Sequence, residues 1–338
     1  MARLRRTVDR TREKSALGRY LLRRLANYLV LVFIAASTTF FLASATLRPE
    51  INYLNKNPRP PVDSVYRTLH AFNLDPHTPV WTRYWHWLTD LLLHGSFGQT
   101  WQGASVGAEM GQRVMVSTEL LLVATVLGSI GGVAFGAWNA LQQYKFSDRV
   151  STVFSYLILA TPIVVIAVTL RTLDTAFGRP IVQYTGMYDP KVSGTWPIIL
   201  NNLEHLILPT ITLLLVQVTL FSRYQRSTML DVLGSDFLRT ARAKGLRRRQ
   251  AVLKHGLRTA VIPVMPLLVY NVVLLFVGAT FTEKIYGWHG MGEWLVDSVT
   301  YNDINAVAAV GVFTAGVVLV AGLLSDLVYA ALDPRVRT

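Results

Sequence analysis

The chain has 338 residues, is 51% apolar and 16% charged, and has a mean hydropathy of +0.35. That charged share falls well below the roughly 25% of soluble domains, which excludes an ordinary soluble protein and points to an integral membrane protein. The net charge of +13 calls for no nucleic-acid partner, because Lys and Arg collect in cytoplasmic loops. The lack of cysteine excludes disulfides, thiol catalysis and Cys-ligated metals.

A spanning helix needs about 20 mostly apolar residues, and six stretches qualify. Residues 1–26 form a basic segment ahead of them. Its Arg-rich residues 1–17 are expected to lie disordered along anionic lipid, or to act as a solubilising tail. The first span is Asn27–Leu47. Ala43-Ser44-Ala45 resembles a signal-peptide cleavage site, but the apolar run is too long for a signal core and five spans follow, so the helix is read as uncleaved.

The external segment 48–117 contains NPRPPV (57–62), expected to be extended, and Trp81, Trp85, Trp87 and Trp101. Trp81 and Trp85 share a helix face by spacing; an interfacial aromatic belt is the plainer reading, a partner surface the sharper one. Thr118–Ala140 is the second span, with a stripe of Gly128, Gly131, Gly132 and Gly136. Ser151–Leu170, carrying Pro162, is the third, and Leu206–Tyr224, carrying Pro209, the fourth. Pro263–Thr282 and Ile304–Leu332 are the fifth and sixth. Residues 118–332 thus form a five-helix core, and 333–338 a short tail.

An even span count puts both termini on one side. That side, with 141–150, 225–262 and Arg223 at the helix end beside them, holds about 23 of the 33 Lys and Arg residues, so both termini are expected in the cytoplasm. The expected fold is an all-α integral membrane protein with six transmembrane helices and a cytoplasmic helix pair between spans four and five.

That pair, within 235–262, is basic and interrupted by glycine. Ser235 suits an N-cap and Asp236 the first turn of a helix over Phe237–Lys244. Gly245 stops it, being free to adopt the left-handed cap conformation. A second helix, Arg248 to Arg258, leads to Ile262-Pro263. Thr240, Ala241 and Ala243 are small enough for close approach to a partner groove, with Arg242 and Lys244 at its rim. A DNA-binding helix-turn-helix is disfavoured by the tether to two spans. A lipid-held amphipathic loop remains open beside a coupling element for a soluble partner.

Thr240-Ala241-Arg242-Ala243-Lys244-Gly245-Leu246, followed by His255, Arg258 and Ile262-Pro263, resembles the "EAA" coupling motif of bacterial ATP-binding-cassette importer permeases. The similarity is to the branch importing dipeptides, oligopeptides and nickel, and runs from Arg19 to Arg337. It includes Thr118-Glu119-Leu120, Asp148-Arg149, Leu208-Pro209, RYQRSTML (223–230), Glu283, Gly287-Trp288, Gly290-Met291-Gly292, Asp303, Asp326, Tyr329 and the closing LDPRVR (332–337). The resemblance implies that Asp236, Phe237 and 240–246 dock in a groove of a cytoplasmic ATPase whose closure swings the spans. Asp236 stands where the family more often has Glu. It further implies a bacterial inner-membrane, multi-pass subunit, a second homologous permease, two ATPase subunits carrying ATP and Mg, and an external substrate-binding protein. The implied cargo is a di- or oligopeptide, with nickel chelates or glutathione-like solutes as alternatives.

Three places depart from the family pattern. Ala160-Thr161-Pro162-Ile163-Val164 replaces Ser-x-Pro-x-Phe, Trp288-His289-Gly290 replaces Trp-Pro-Gly, and Asn302-Asp303 replaces Arg-Asp. All bear on the pathway and its outer mouth.

Gly-Lys-Ser/Thr is nowhere in the chain, so it is not the ATPase, and neither a cofactor nor a metal is expected on it. Few charges fall inside the spans; Arg171, Asp174, Arg223 and Asp326 sit near span ends, which disfavours an ion-coupled carrier. A membrane scaffold is the other class kept open. Thr161, Pro162, Gln217 and Asn271 are the pathway candidates, against a reading in which the polar ones only bond between helices. The glycine stripe is expected to permit close helix packing, and Pro162 and Pro209 either to kink their helices or to be accommodated.

Overall fold

The computed structural model describes the backbone of residues 2–176 and 178–332, and their side chains apart from 2–22, 248, 268–270, 273, 274, 277, 325 and 327–332. Asp333 to Arg337 of the closing motif therefore lie outside the described residues. The described chain is helical, with one isolated bridge, Gln99 to Ser105.

Helix α1 (Ala2–Thr46) leads to three outer helices, α2 (Ile51–Leu54), α3 (Val62–Ala71) and α4 (Val80–His94). Then follow α5 (Val106–Leu141), α6 (Phe146–Ala160), α7 (Ile163–Thr175) and α8 (Thr195–Leu233). The helix pair is α9 (Asp236–Ala243), then α10 (Arg248–Ala251), a π-helical turn (Val252–Gly256) and α11 (Leu257–Val261). A 3-10 turn (Ile262–Val264) joins it to α12 (Met265–Tyr286), followed by α13 (Met291–Thr300) and α14 (Ile304–Leu332).

Among the described residues, four segments are long and apolar enough to cross a membrane: Arg23–Leu54, α5, α8 and Ile304–Leu324. The pair α6 and α7 makes a fifth if counted as one broken span. Helix α12, 22 residues long, occupies the predicted fifth stretch.

The predicted third span is not one helix: α6 and α7 meet at 107°. Thr161 is extended (φ −91°, ψ 123°), as a residue before proline prefers, and Pro162 has no N–H to continue the ladder. Pro209, by contrast, is accommodated inside an unbroken α8. Two further differences concern the ends. Residues 2–17, expected to be disordered, continue α1, and α5 starts at Val106, inside the stretch predicted as the external segment. There Ser105 caps the helix by accepting the Ala108 N–H at 3.4 Å, and Glu109 sits in the first turn.

The centre of the fold is the α5–α8 pair. A Cβ built on Gly128 would stand 2.7 Å from Gln217 Cγ, one on Gly132 2.4 Å from Phe221 Cβ, and one on Gly136 2.4 Å from the Ser222 carbonyl oxygen. Only glycine permits this approach, so the stripe serves helix packing. Around it lies a core of α5, α8, α12, α13 and α14 that includes Leu120, Leu213, Tyr286, Trp288 and Met291. A second core joins α1, α3, α4 and α14 through Phe40, Leu69, Trp87 and Ile304, with the Phe40 and Trp87 rings 5.1 Å apart. Helix α1 exposes Leu29 and Phe33, while Leu31 and Ile34 line a groove it forms with α12, α13 and α14.

The four tryptophans divide. Trp81 and Trp85 are 74% and 62% exposed on one face of α4, Trp87 is core, and Trp101 stacks on Tyr301 at 5.8 Å.

Candidate functional site

Helix α9 follows the end of α8, and Leu238 is its buried residue. Leu238 is 4% exposed, and its Cδ1 lies 3.4 Å from where a Cβ on Gly256 would be. Behind it, Met229, Val252, Ala260 and Ala140 form a small core, and Thr228 Oγ1 donates to the Ala260 carbonyl at 2.9 Å. The returning strut of α10, π turn and α11 is thereby fastened to α8. The sequence reading missed Leu238, Gly256 and the π turn; an apolar residue inside a basic helix was the available signal.

The rest of α9 faces outward. Asp236, Phe237, Thr240, Arg242, Ala243 and Lys244 are exposed, while Ala241 and Leu246 are half-buried. Phe237, Thr240, Ala241 and Lys244 follow the i, i+3, i+4, i+7 spacing and so share one stripe. Asp236 pairs with Arg239 at 3.5 Å, and Thr240 Oγ1 donates to the Asp236 carbonyl at 2.9 Å. Ser235 stands at the N-cap position, but its hydroxyl donates to the Val232 carbonyl at 2.6 Å rather than capping α9. Gly245 has φ +92°, which supplies the predicted stop, and its N–H donates to the Arg242 carbonyl at 3.0 Å.

The pathway candidates are distributed differently. Thr161 and Pro162 form the break between α6 and α7, where Thr161 Oγ1 donates to the Leu157 carbonyl at 2.7 Å. Gln217 is buried against Gly128, with neither amide atom hydrogen-bonded. Asn271 is buried on α12 and donates to the Leu267 carbonyl at 2.8 Å. Among the described residues no hydrogen bond joins any two of the four.

Polar ties brace this frame. Arg226 on α8 donates to both oxygens of Asp148 on α6 at 2.8 Å, a bidentate pair. Arg24 on α1 meets Asp326 on α14 at 3.2 Å. At the opposite end of α12, Glu283 accepts the N–H groups of Gly292 and Glu293 at 2.8 and 3.0 Å, and Ser117 Oγ at 2.5 Å. Its carboxylate thereby caps α13. Asp303 does the same for α14, accepting the N–H groups of Ala306 and Trp101 at 3.1 and 3.0 Å. Burial pushes the Asp303 carboxyl up to about 6.

A family model for "Binding-protein-dependent transport system inner membrane component" matches residues 132–338, more than half the chain and every candidate site residue. The chain belongs to that family. The oligopeptide transport system permease protein OppB of Mycobacterium tuberculosis is 50% identical over 324 residues, covering 94% of this chain and 99% of the relative. AppB of Bacillus subtilis, also named an oligopeptide transport system permease protein, is 32% identical over 269 residues, covering 77% and 81%. The dipeptide transport system permease protein DppB of Lactococcus lactis is 30% identical over 321 residues, covering 94% and 99%. As a member of the family, the chain is the membrane component of a transport system, and its permease frame is the scaffold on which α9 is presented.

Proposed function

We propose that this permease is one of two homologous membrane subunits of an ATP-binding-cassette importer for di- and oligopeptides. It crosses the bacterial inner membrane six times with both termini in the cytoplasm. The first span is 27–47, the external segment 48–117, and the remaining five spans lie within 118–332. The pair α6–α7 is counted as one broken span. ATP and Mg bind on two cytoplasmic ATPase subunits, and an external binding protein delivers the peptide.

The observation that carries the reading is the stripe of α9, exposed at Phe237, Thr240 and Lys244 and half-buried at Ala241, on a helix whose Leu238 is buried. Phe237, Thr240, Ala241 and Lys244 enter the ATPase groove, with Arg242, Ala243 and Leu246 beside them and Asp236 at the helix start. A push on α9 passes through α10 and α11 into α12, and through Leu238 into α8, so both spans move with it as rigid elements. Thr161 and Pro162 sit where such motion would change the angle between α6 and α7. Gln217 and Asn271 are the polar groups that a parting of α5, α8 and α12 would hydrate. The peptide assignment rests on the relatives named above.

Ala241→Arg places a charge in the docking stripe, and Gly245→Pro forbids the positive φ that ends α9. In a strain lacking the native copy, each is expected to abolish vanadate-sensitive peptide uptake at normal membrane abundance. Full uptake by either variant would remove the coupling assignment.

A further inference from the structure

A polar cavity of about 240 Å³ lies between the ends of α5, α6 and α8. Its walls include Asn139, Ser151, Ser155, Tyr156, Arg223 and Arg226. We infer that it is a phosphoryl-anion site that takes the headgroup of an anionic phospholipid.

Arg226 is neutralised by Asp148 through both carboxylate oxygens. Arg223 has no acidic partner among the described residues. Its guanidinium lies 4.5 Å above the Tyr156 ring, with one long contact of 3.5 Å to the Tyr156 hydroxyl. A guanidinium stacked on a ring keeps its N–H edge free for a planar or tetrahedral oxyanion. The cavity therefore carries one uncompensated positive charge.

Ser155 is 5% exposed and has no hydrogen-bond partner among the described residues, yet it opens onto the cavity. Ser151 is already bonded to Asn139 Oδ1 at 2.9 Å, which fixes the amide and turns its N–H₂ group away from that bond. An oxyanion supplies the acceptors this lining lacks.

The surface beyond the cavity selects the lipid. Val153 and Leu157 are 60% and 61% exposed on α6, flanking Tyr156. They continue the polar cavity into an apolar strip on which acyl chains can lie. A free phosphate needs no such strip. In the proposed topology the cavity faces the cytoplasmic leaflet, whose anionic lipids attract basic groups.

The test uses the detergent-purified transporter containing the full chain, examined by native mass spectrometry after addition of phosphatidylglycerol or phosphatidylcholine. We expect phosphatidylglycerol adducts on this subunit in preference to phosphatidylcholine. Arg223→Gln is expected to weaken them roughly tenfold, as loss of a charge-assisted bond does, and Ser155→Ala less. Both variants should elute as intact complexes, since Arg223 is exposed and Ser155 makes no internal bond. Equal retention in wild type and Arg223→Gln overturns the proposal. So does displacement by millimolar inorganic phosphate of an adduct that shows no lipid preference, which would make the site one for a free anion. Because adduct mass is the readout, failure here is distinct from failure of peptide transport.

Discussion

Leu238 is the residue on which the position of α9 depends. It is the buried residue of α9, 4% exposed, and its Cδ1 points at Gly256 of the returning strut. Truncating a buried leucine costs roughly 2–5 kcal/mol, more than an eight-residue helix can supply on its own. Leu238→Ala is therefore expected to leave the spans intact but release α9. Limited trypsin digestion in membranes should cut after Arg239 and Arg242 faster than in wild type; an unchanged cleavage rate would contradict the anchoring role. Asp303 gives a residue-scale prediction in pH. Its carboxyl rises from an ordinary 3.8 to about 6 on burial, so the folded state binds the proton more tightly than the unfolded chain. Its contribution to stability is greatest at low pH and is lost as pH rises through that window. Thermal unfolding in detergent should show a midpoint that falls between pH 4 and pH 6.5, with a flatter slope in Asp303→Asn. An identical slope in the variant would exclude Asp303 as the source.

At the scale of elements, α5 and α8 are bound by what the glycines lack. A Cβ added at Gly132 would stand 2.4 Å from Phe221 Cβ and 3.2 Å from the Val218 carbonyl oxygen, atoms fixed to the α8 backbone. Gly132→Val is expected to prevent accumulation of folded subunit. Gly316→Ala on α14, where nothing lies within 4 Å, should be neutral or gain up to about 1 kcal/mol of helix propensity. Fluorescence-detected size exclusion of the two variants checks both; a monodisperse Gly132→Val protein at wild-type yield would contradict the packing. This contact was legible in the sequence, because glycines at four-residue spacing in an apolar run have one common use. The turn between α6 and α7 was only half legible. Pro162 and Pro209 look alike in sequence, yet one breaks its helix and the other is absorbed. What decides is whether neighbouring helices cover the freed backbone, and that is set by the tertiary fold. The start of α5 at Val106 was hidden because residues 106–117 lack the apolar run that marked the span.

Across the whole molecule, the apolar stretches and the helix pair at 235–262 were readable because bilayer thickness and charge placement constrain them one segment at a time. Gly245 at φ +92° is where the sequence put the stop. The π turn, the Ser235 hydroxyl bonded backward to Val232, and the Leu238 anchor depend on α8 lying alongside, so no local pattern announced them. Gln217 was noticed as a polar residue in a span, but its contact with Gly128 came only with the pairing of α5 and α8. The same division holds for the proposed function. The proposed coupling helix has a local pattern, whereas the pathway candidates acquire meaning only from the helices that face them. The proposed coupling requires that α9 be the surface an ATPase grips. A photo-crosslinking amino acid placed at Thr240, in intact membranes of cells expressing the whole transporter, tests this directly. One dominant adduct is expected, with a nucleotide-binding subunit, lost when Ala241→Arg is added. Adducts with lipid alone, or an ATPase adduct that persists unchanged in that double variant, would contradict it.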